Sequence, residues 1–97
     1  MIYRVVYASP ANQRHFEKTL ARLPAHDQDA VMDAIKGLYQ NPRPHGVTKL
    51  EPPVIVSRYT AHYRIKVGHY RVLYDIDDDR KVVFLLVLRK RNEKTYE

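Results

Sequence analysis

Two periodicities divide this chain. Between residues 16 and 38 apolar side chains recur at helical spacing, and from residue 62 onward they recur at every second position. Phe16, Leu20 and Leu23 fall at i, i+4 and i+7, one helical stripe facing a core, with Arg14, Glu17, Lys18 and Arg22 outside it. Val31, Ala34, Ile35 and Leu38 make a second stripe. Ser9 before Pro10 predicts the first helix start, because a serine hydroxyl can accept an orphan N–H and proline's fixed φ suits the first helical position. Pro24 ends that helix and can begin the next. Asn41-Pro42 closes the second, since the residue before a proline is pushed out of the α region. The pattern predicts a helical hairpin joined at Pro24, each arm about four turns long.

Ahead of the hairpin, Ile2 to Tyr7 is β-branched and aromatic, as a strand would be. After it, Arg43 to Thr60 carries Pro44, Gly46, Pro52 and Pro53 and is expected to be a long connector with a short extended piece at Val54 to Val56. Tyr63, Ile65 and Val67 then alternate with Arg64 and Lys66, Gly68-His69 supplies a two-residue turn, and Tyr70, Val72, Tyr74 and Ile76 continue the apolar face. A second turn at Asp77-Asp78-Asp79-Arg80 leads into Val82 to Leu88, apolar on both faces and so expected inside the sheet. The order β-α-α-β-β-β describes an α+β fold in one domain, residues 1–97: a small, mostly antiparallel sheet with an N-terminal strand and a two-helix hairpin packed on it.

A two-residue loop at Gly68-His69 sets the register of its hairpin. Val67 then faces Tyr70, Ile65 faces Val72 and Tyr63 faces Tyr74 on the apolar side. On the other side Lys66 lies opposite Arg71, Arg64 opposite Leu73 and His62 opposite Asp75. Like charges directly opposed across an antiparallel pair destabilise it by roughly 0.2–1 kcal/mol. Selection for stability alone would rarely place Lys66 against Arg71 with Arg64 beside them. Cations converging on one phosphate supply charge-assisted hydrogen bonds that none could supply alone, whereas a bland solvated edge would use the same cations only to discourage aggregation. The chain end adds a second cluster, Arg89-Lys90-Arg91 and Lys94, followed by Tyr96. A phenol among cations can stack on a base. Periodicity leaves open whether Arg89 or Lys90 shares a face with Arg71.

Charge gives this pattern a direction. Lys and Arg total 17 against 11 Asp and Glu, a net +6, so an anionic partner is expected, with nucleic acid ahead of an acidic protein. The absence of cysteine excludes a disulfide framework, a thiolate nucleophile and a cysteine zinc site, and suits a cytoplasmic setting. The longest apolar run, Val82 to Leu88, is about a third of a membrane span, and the first residues lack a signal-peptide pattern, so no membrane association is expected. A chain of this size leaves little room for a deep cavity, and no small-molecule ligand or cofactor is expected.

If the target is RNA, cleavage by attack of the 2′-hydroxyl on the adjacent phosphate needs a base, an acid and positive charge on the developing phosphorane. His15, His26, His45, His62 and His69 are scattered without ligand spacing, and Asp75, Asp77 and Asp79 lack the glycine and distal glutamate of a calcium loop. Ser9 serves better as a cap, and Ser57 lies in the proline-flanked connector. What remains is a metal-free site in which arginines stabilise charge while Tyr96, Lys66 or a histidine moves protons. His62 has the most suitable intrinsic pKa, yet its pairing with Asp75 suggests a structural hydrogen bond equally well.

The stretch Tyr63-Arg64-Ile65-Lys66-Val67-Gly68-His69-Tyr70-Arg71-Val72-Leu73-Tyr74-Asp75-Ile76-Asp77-Asp78 closely resembles the hairpin of the RelE/ParE toxin superfamily, and Arg89 to Tyr96 is similar to the C-terminal motif of its RelE branch. The resemblance covers nearly the whole chain. It implies a microbial-ribonuclease-type fold and the toxin of a type II toxin–antitoxin system, an mRNA interferase that cleaves messages in the ribosomal A site. By that resemblance Arg64 and Lys66 are the basic pair of the first hairpin strand, Arg71 contacts the scissile phosphate, and Tyr96 is the terminal base or stacking residue. Arg91 is the C-terminal site arginine, with Arg89 as the alternative. Lys49, Arg58, Arg89, Lys90 and Lys94 would contact RNA, including rRNA. The implied partners are the ribosome with its mRNA and a RelB-like antitoxin that masks the basic face. Glu51 to Arg58 departs from the family's Leu-x-Gly approach to the hairpin. A ParE-like inhibitor that binds DNA gyrase without nuclease chemistry is the alternative, and a co-repressor without activity a third.

Overall fold

The computed structural model describes residues 2–90. Ser9 opens the first helix as its spacing predicts: its Oγ accepts the backbone N–H of Asn12 at 3.1 Å, and Pro10 follows as the first residue of α1 (Pro10–Ala21). α2 (Ala25–Gln40) begins directly after Pro24, and Asn41 leaves the helical region while its N–H still reaches the Gly37 carbonyl. Five strands, β1 (Arg4–Tyr7), β2 (Thr48–Val56), β3 (Tyr59–Val67), β4 (Tyr70–Asp77) and β5 (Val82–Lys90), form one sheet in the order β1-β5-β4-β3-β2. The β1·β5 pair is parallel and the other three are antiparallel. Val82 to Leu88 therefore runs through the interior of the sheet, flanked by β1 and β4, as its two apolar faces require.

Both helical stripes cover one face of the sheet. Phe16 of α1 and Val31, Ile35 and Leu38 of α2 meet Val72, Tyr74, Val83, Leu85 and Leu88 in the main core. Phe16 is fully buried and its ring stands edge-on to Tyr7, centroids 5.5 Å apart. Leu73 alternates with Val72 and Tyr74 and so points to the other face, where it joins Ala61, Leu86 and Val87 in a second, smaller core.

The proline-bearing connector is where the structure departs from expectation. Val54 to Val56 is the end of a nine-residue strand, β2, that forms the sheet edge against β3. Pairing lapses between Lys49 and Val54, and Pro52 and Pro53 sit in that lapse. A proline has no N–H to give to a ladder, so an edge strand with interrupted pairing is the place a sheet can hold two of them. Ser57-Arg58 then turns the chain into β3, with Ser57 in the left-handed region at φ 61°. Leu50, Val54, Val56 and Tyr59 pack over the second core, so this hairpin walls the helix-free face.

At the far end of β4 the acidic turn is held from below. Arg43, in the loop after α2, makes a two-pronged ion pair with Asp78, at 2.8 and 3.2 Å, and donates to the Tyr63 hydroxyl. The Tyr3 hydroxyl donates to the same carboxylate at 2.7 Å. These bonds, Arg43's first, hold Asp78 down at about 2 from its ordinary 3.8. Asp77 accepts the Arg80 N–H within the turn. Among the described residues no group of three His, Asp or Glu side chains is placed to hold a metal ion.

Candidate nucleic-acid interface

The hairpin register is the one the two-residue loop dictates: Val67 pairs with Tyr70, Lys66 with Arg71, Ile65 with Val72, Arg64 with Leu73 and Tyr63 with Tyr74. Gly68 takes φ 59°, a value open to glycine at the first central position of a tight hairpin turn. His62 and Asp75 also meet as predicted, the carboxylate accepting from Nδ1 at 2.9 Å.

One irregularity in β5 completes the site. From the Asp77 turn the ladder runs Asp77↔Val82, Ile76↔Val83, Asp75↔Phe84 and Tyr74↔Leu85, then jumps to Leu73↔Val87, leaving Leu86 as an extra residue. That bulge advances everything beyond it by one position, so Arg71 pairs with Arg89 and Tyr70 with Lys90. A regular ladder would have put Arg89 opposite Tyr70, on the side the helices cover. The structure thus answers what periodicity left open: Arg89, not Lys90, shares the face of Arg71. Lys66, Arg71 and Arg89 form a row across three adjacent strands. With strands about 4.8 Å apart the row spans about 10 Å, wide enough to grip a phosphodiester and its neighbour.

Arg89, the β5 member of the row, also lines a groove of about 920 Å³ between the first turns of α1 and the tip of the β2–β3 hairpin, floored by β5 from Leu86 to Lys90. The ionisable side chains along it other than tyrosine are Arg58 at the hairpin tip, His15 of α1, Arg89 and Lys90, with no carboxylate among them. Asp75 and His62 share the face of the row by strand alternation, but His62 lies four residues along β3 from Lys66, about 13 Å away. That separation leaves His62 a hydrogen-bonded partner of Asp75 and not a proton carrier for a phosphate on the row.

The remaining candidates distribute as follows. Arg64, next to Lys66 on the same face, reaches the Thr48 hydroxyl at 3.4 Å. Lys49 lies on β2 opposite Tyr63, exposed and 3.9 Å from Glu51, so its charge is partly answered and it stands apart from the row. Arg91, Lys94 and Tyr96 fall outside the described residues. The residue that pattern reading overlooked is Asn12, buried with 7% exposure, whose side-chain amide donates to the Leu86 carbonyl at 2.9 Å. Nothing in Pro10-Ala11-Asn12 marks it, because its partner lies 74 residues away.

Comparison with known proteins bears on the family and the fold. The family described as ParE toxin of type II toxin–antitoxin systems matches residues 5–94. The fold is similar to that of the archaeal RelE–RelB complex from Pyrococcus horikoshii, at 27% identity and TM-score 0.73, covering 97% of this chain and 100% of the other. It is similar also to a RelBE toxin–antitoxin complex of Mycobacterium tuberculosis, at 23% identity and TM-score 0.67 over 96% of this chain and 95% of the other. A variant of the E. coli toxin RelE in the free state matches at 17% identity and TM-score 0.56, over 93% and 84%. No curated protein sequence matches at a significant level.

Proposed function

This chain belongs to the ParE toxin family of type II toxin–antitoxin systems, within the RelE/ParE superfamily, and from that premise we propose that it is a ribosome-dependent endoribonuclease that cleaves mRNA in the A site. The observation that carries the reading is the row Lys66–Arg71–Arg89, three cations on adjacent strands, the last of which also lines a groove with Arg58 and Lys90. Attack of a ribose 2′-hydroxyl on the adjacent phosphate accumulates negative charge on the phosphorane oxygens, and fixed cations around that phosphate lower the barrier. Arg71, central in the row, holds the scissile phosphate, with Lys66 and Arg89 on either side and Arg64 behind Lys66. Arg91 and Tyr96 are assigned the leaving-group and base roles, and Arg58, Lys90 and Lys94 contacts to RNA. The fold supplies charge more readily than a tuned base, which suits an enzyme whose substrate is positioned by the ribosome. A cognate RelB-like antitoxin is the expected partner in the resting state. It would cover the basic face and answer the repulsion within the row.

A second reading, inhibition of DNA gyrase by binding, is favoured by the family match itself, whose description names ParE. Mapping mRNA 5′ ends on translating ribosomes after expression separates the two. Codon-phased cuts that vanish in Arg71→Ala support cleavage, while intact mRNA accompanied by DNA damage supports the gyrase reading.

A further inference from the structure

The bulge at Leu86 decides whether Arg89 belongs to the row, and one side chain from a distant element holds it. Pairing of β1 with β5 stops at Tyr7↔Leu85, while β5 continues to Lys90. The Ala8 N–H takes the Leu85 carbonyl at 3.1 Å, and the Asn12 amide takes the next carbonyl, that of Leu86, at 2.9 Å. In a regular strand successive carbonyls point to opposite sides. Two in a row captured by the β1–α1 segment are therefore the mark of the bulge and its anchor together. The Asn12 amide has one available orientation, because the Ser9 hydroxyl lies 2.6 Å from Oδ1 and donates to it, leaving Nδ2 to face Leu86. The helix cap and the bulge anchor are one hydrogen-bonded unit, Ser9–Asn12–Leu86.

We infer that Asn12 is a positioning residue: by capturing the Leu86 carbonyl it fixes the β5 bulge that turns Arg89 onto the face of Lys66 and Arg71. Its role in RNA cleavage rests on the reading given above; its control of strand register does not. Without the anchor, the bulged carbonyl loses its side-chain donor, and the ladder relaxes to the regular register, Arg71↔Leu88 and Tyr70↔Arg89. The row then loses its third cation.

The test combines Asn12→Ala with deletion of Leu86 in the full chain. Deletion makes the pairing continuous with Arg71 still opposite Arg89, so a chain lacking Leu86 has no bulge to anchor and should be indifferent to Asn12→Ala. Cross-strand nuclear Overhauser contacts read the register directly. Asn12→Ala should lose the Arg71–Arg89 contact and gain Tyr70–Arg89, and the salt dependence of binding to a single-stranded RNA oligonucleotide should flatten by about 0.7 in log–log slope, one phosphate contact. Adding the Leu86 deletion should bring back both the contact and the slope, even if Asn12→Ala alone does not fold. An Arg71–Arg89 contact that persists in folded Asn12→Ala, or that the deletion fails to bring back, overturns the inference. Failure of the cleavage reading has a separate signature: uncut mRNA with the register result unchanged.

Discussion

Arg71 sits between Lys66 and Arg89, so each neighbour places a like charge directly across the ladder from it. Lys66 is exposed and has the least packing to lose. Lys66→Gln should therefore raise the unfolding free energy by roughly 0.2–1 kcal/mol in denaturant titrations, from relief of the cross-strand repulsion, while weakening RNA binding. Stability gained together with binding lost is the signature of a functional charge, and a loss of both would show the side chain to be structural. Arg71→Ala should lower cleavage on ribosomes by about 10²–10³-fold, as removal of one preorganised transition-state contact does elsewhere, with the circular dichroism spectrum retained. Asp78 makes a prediction of a different kind. Its folded pKa, held at about 2 by Arg43 and Tyr3, lies below its ordinary 3.8, so its contribution is present above about pH 4 and is lost as the pH falls toward 2. Asp78→Asn should be less stable than the parent at neutral pH, and the gap should close across that window. A gap of constant size at all pH values would remove Asp78 from the account.

At the scale of elements, the β3–β4 hairpin was legible because its two-residue loop leaves one register that keeps Tyr63, Ile65, Val67, Tyr70, Val72 and Tyr74 on one face. Gly68 has open space around its missing Cβ but sits at φ 59°, so Gly68→Ala should cost about 1 kcal/mol through the backbone alone, measurable as a lower denaturation midpoint. Ser57, at φ 61° in the other hairpin turn, invites the reverse experiment. Ser57→Gly should gain a few tenths to 1 kcal/mol by removing a left-handed non-glycine residue, less the greater freedom of glycine in the unfolded chain. The helices were legible for equally local reasons: Ser9, Pro10, Pro24 and Pro42 punctuate them, and each carries one clean stripe. β2 was not. Prolines argue against a strand wherever a ladder must be continuous, and only its place at the sheet edge, a property of the whole topology, makes them tolerable.

For the whole molecule, the net charge of +6 includes the row Lys66, Arg71 and Arg89 on one face of the sheet. The row together with the basic groove should make RNA affinity fall linearly with log salt. Lys66, Arg71 and Arg89 alone account for a slope of about 2, and further contacts at Arg58 or beyond residue 90 would steepen it. A slope near zero would remove phosphate recognition from the account. The same face is the one an antitoxin would have to cover. The described residues contain no helix long and apolar enough to cross a membrane.

Sequence by itself determined what depends on near neighbours: the helix ends, the period of each strand, the turn at Gly68-His69 and, through it, the opposition of Lys66 to Arg71 that first pointed to an anion. It could not determine on which face Arg89 lies. Val82 to Leu88 is apolar on both faces, so a one-residue slip costs its pattern nothing visible, and periodicity is silent where both faces are buried. That choice falls to tertiary structure, where α1 lies beside the half of β5 that β1 leaves uncovered and Asn12 reaches the carbonyl of Leu86. A buried carbonyl must find a donor, and here the donor comes from an element 74 residues away.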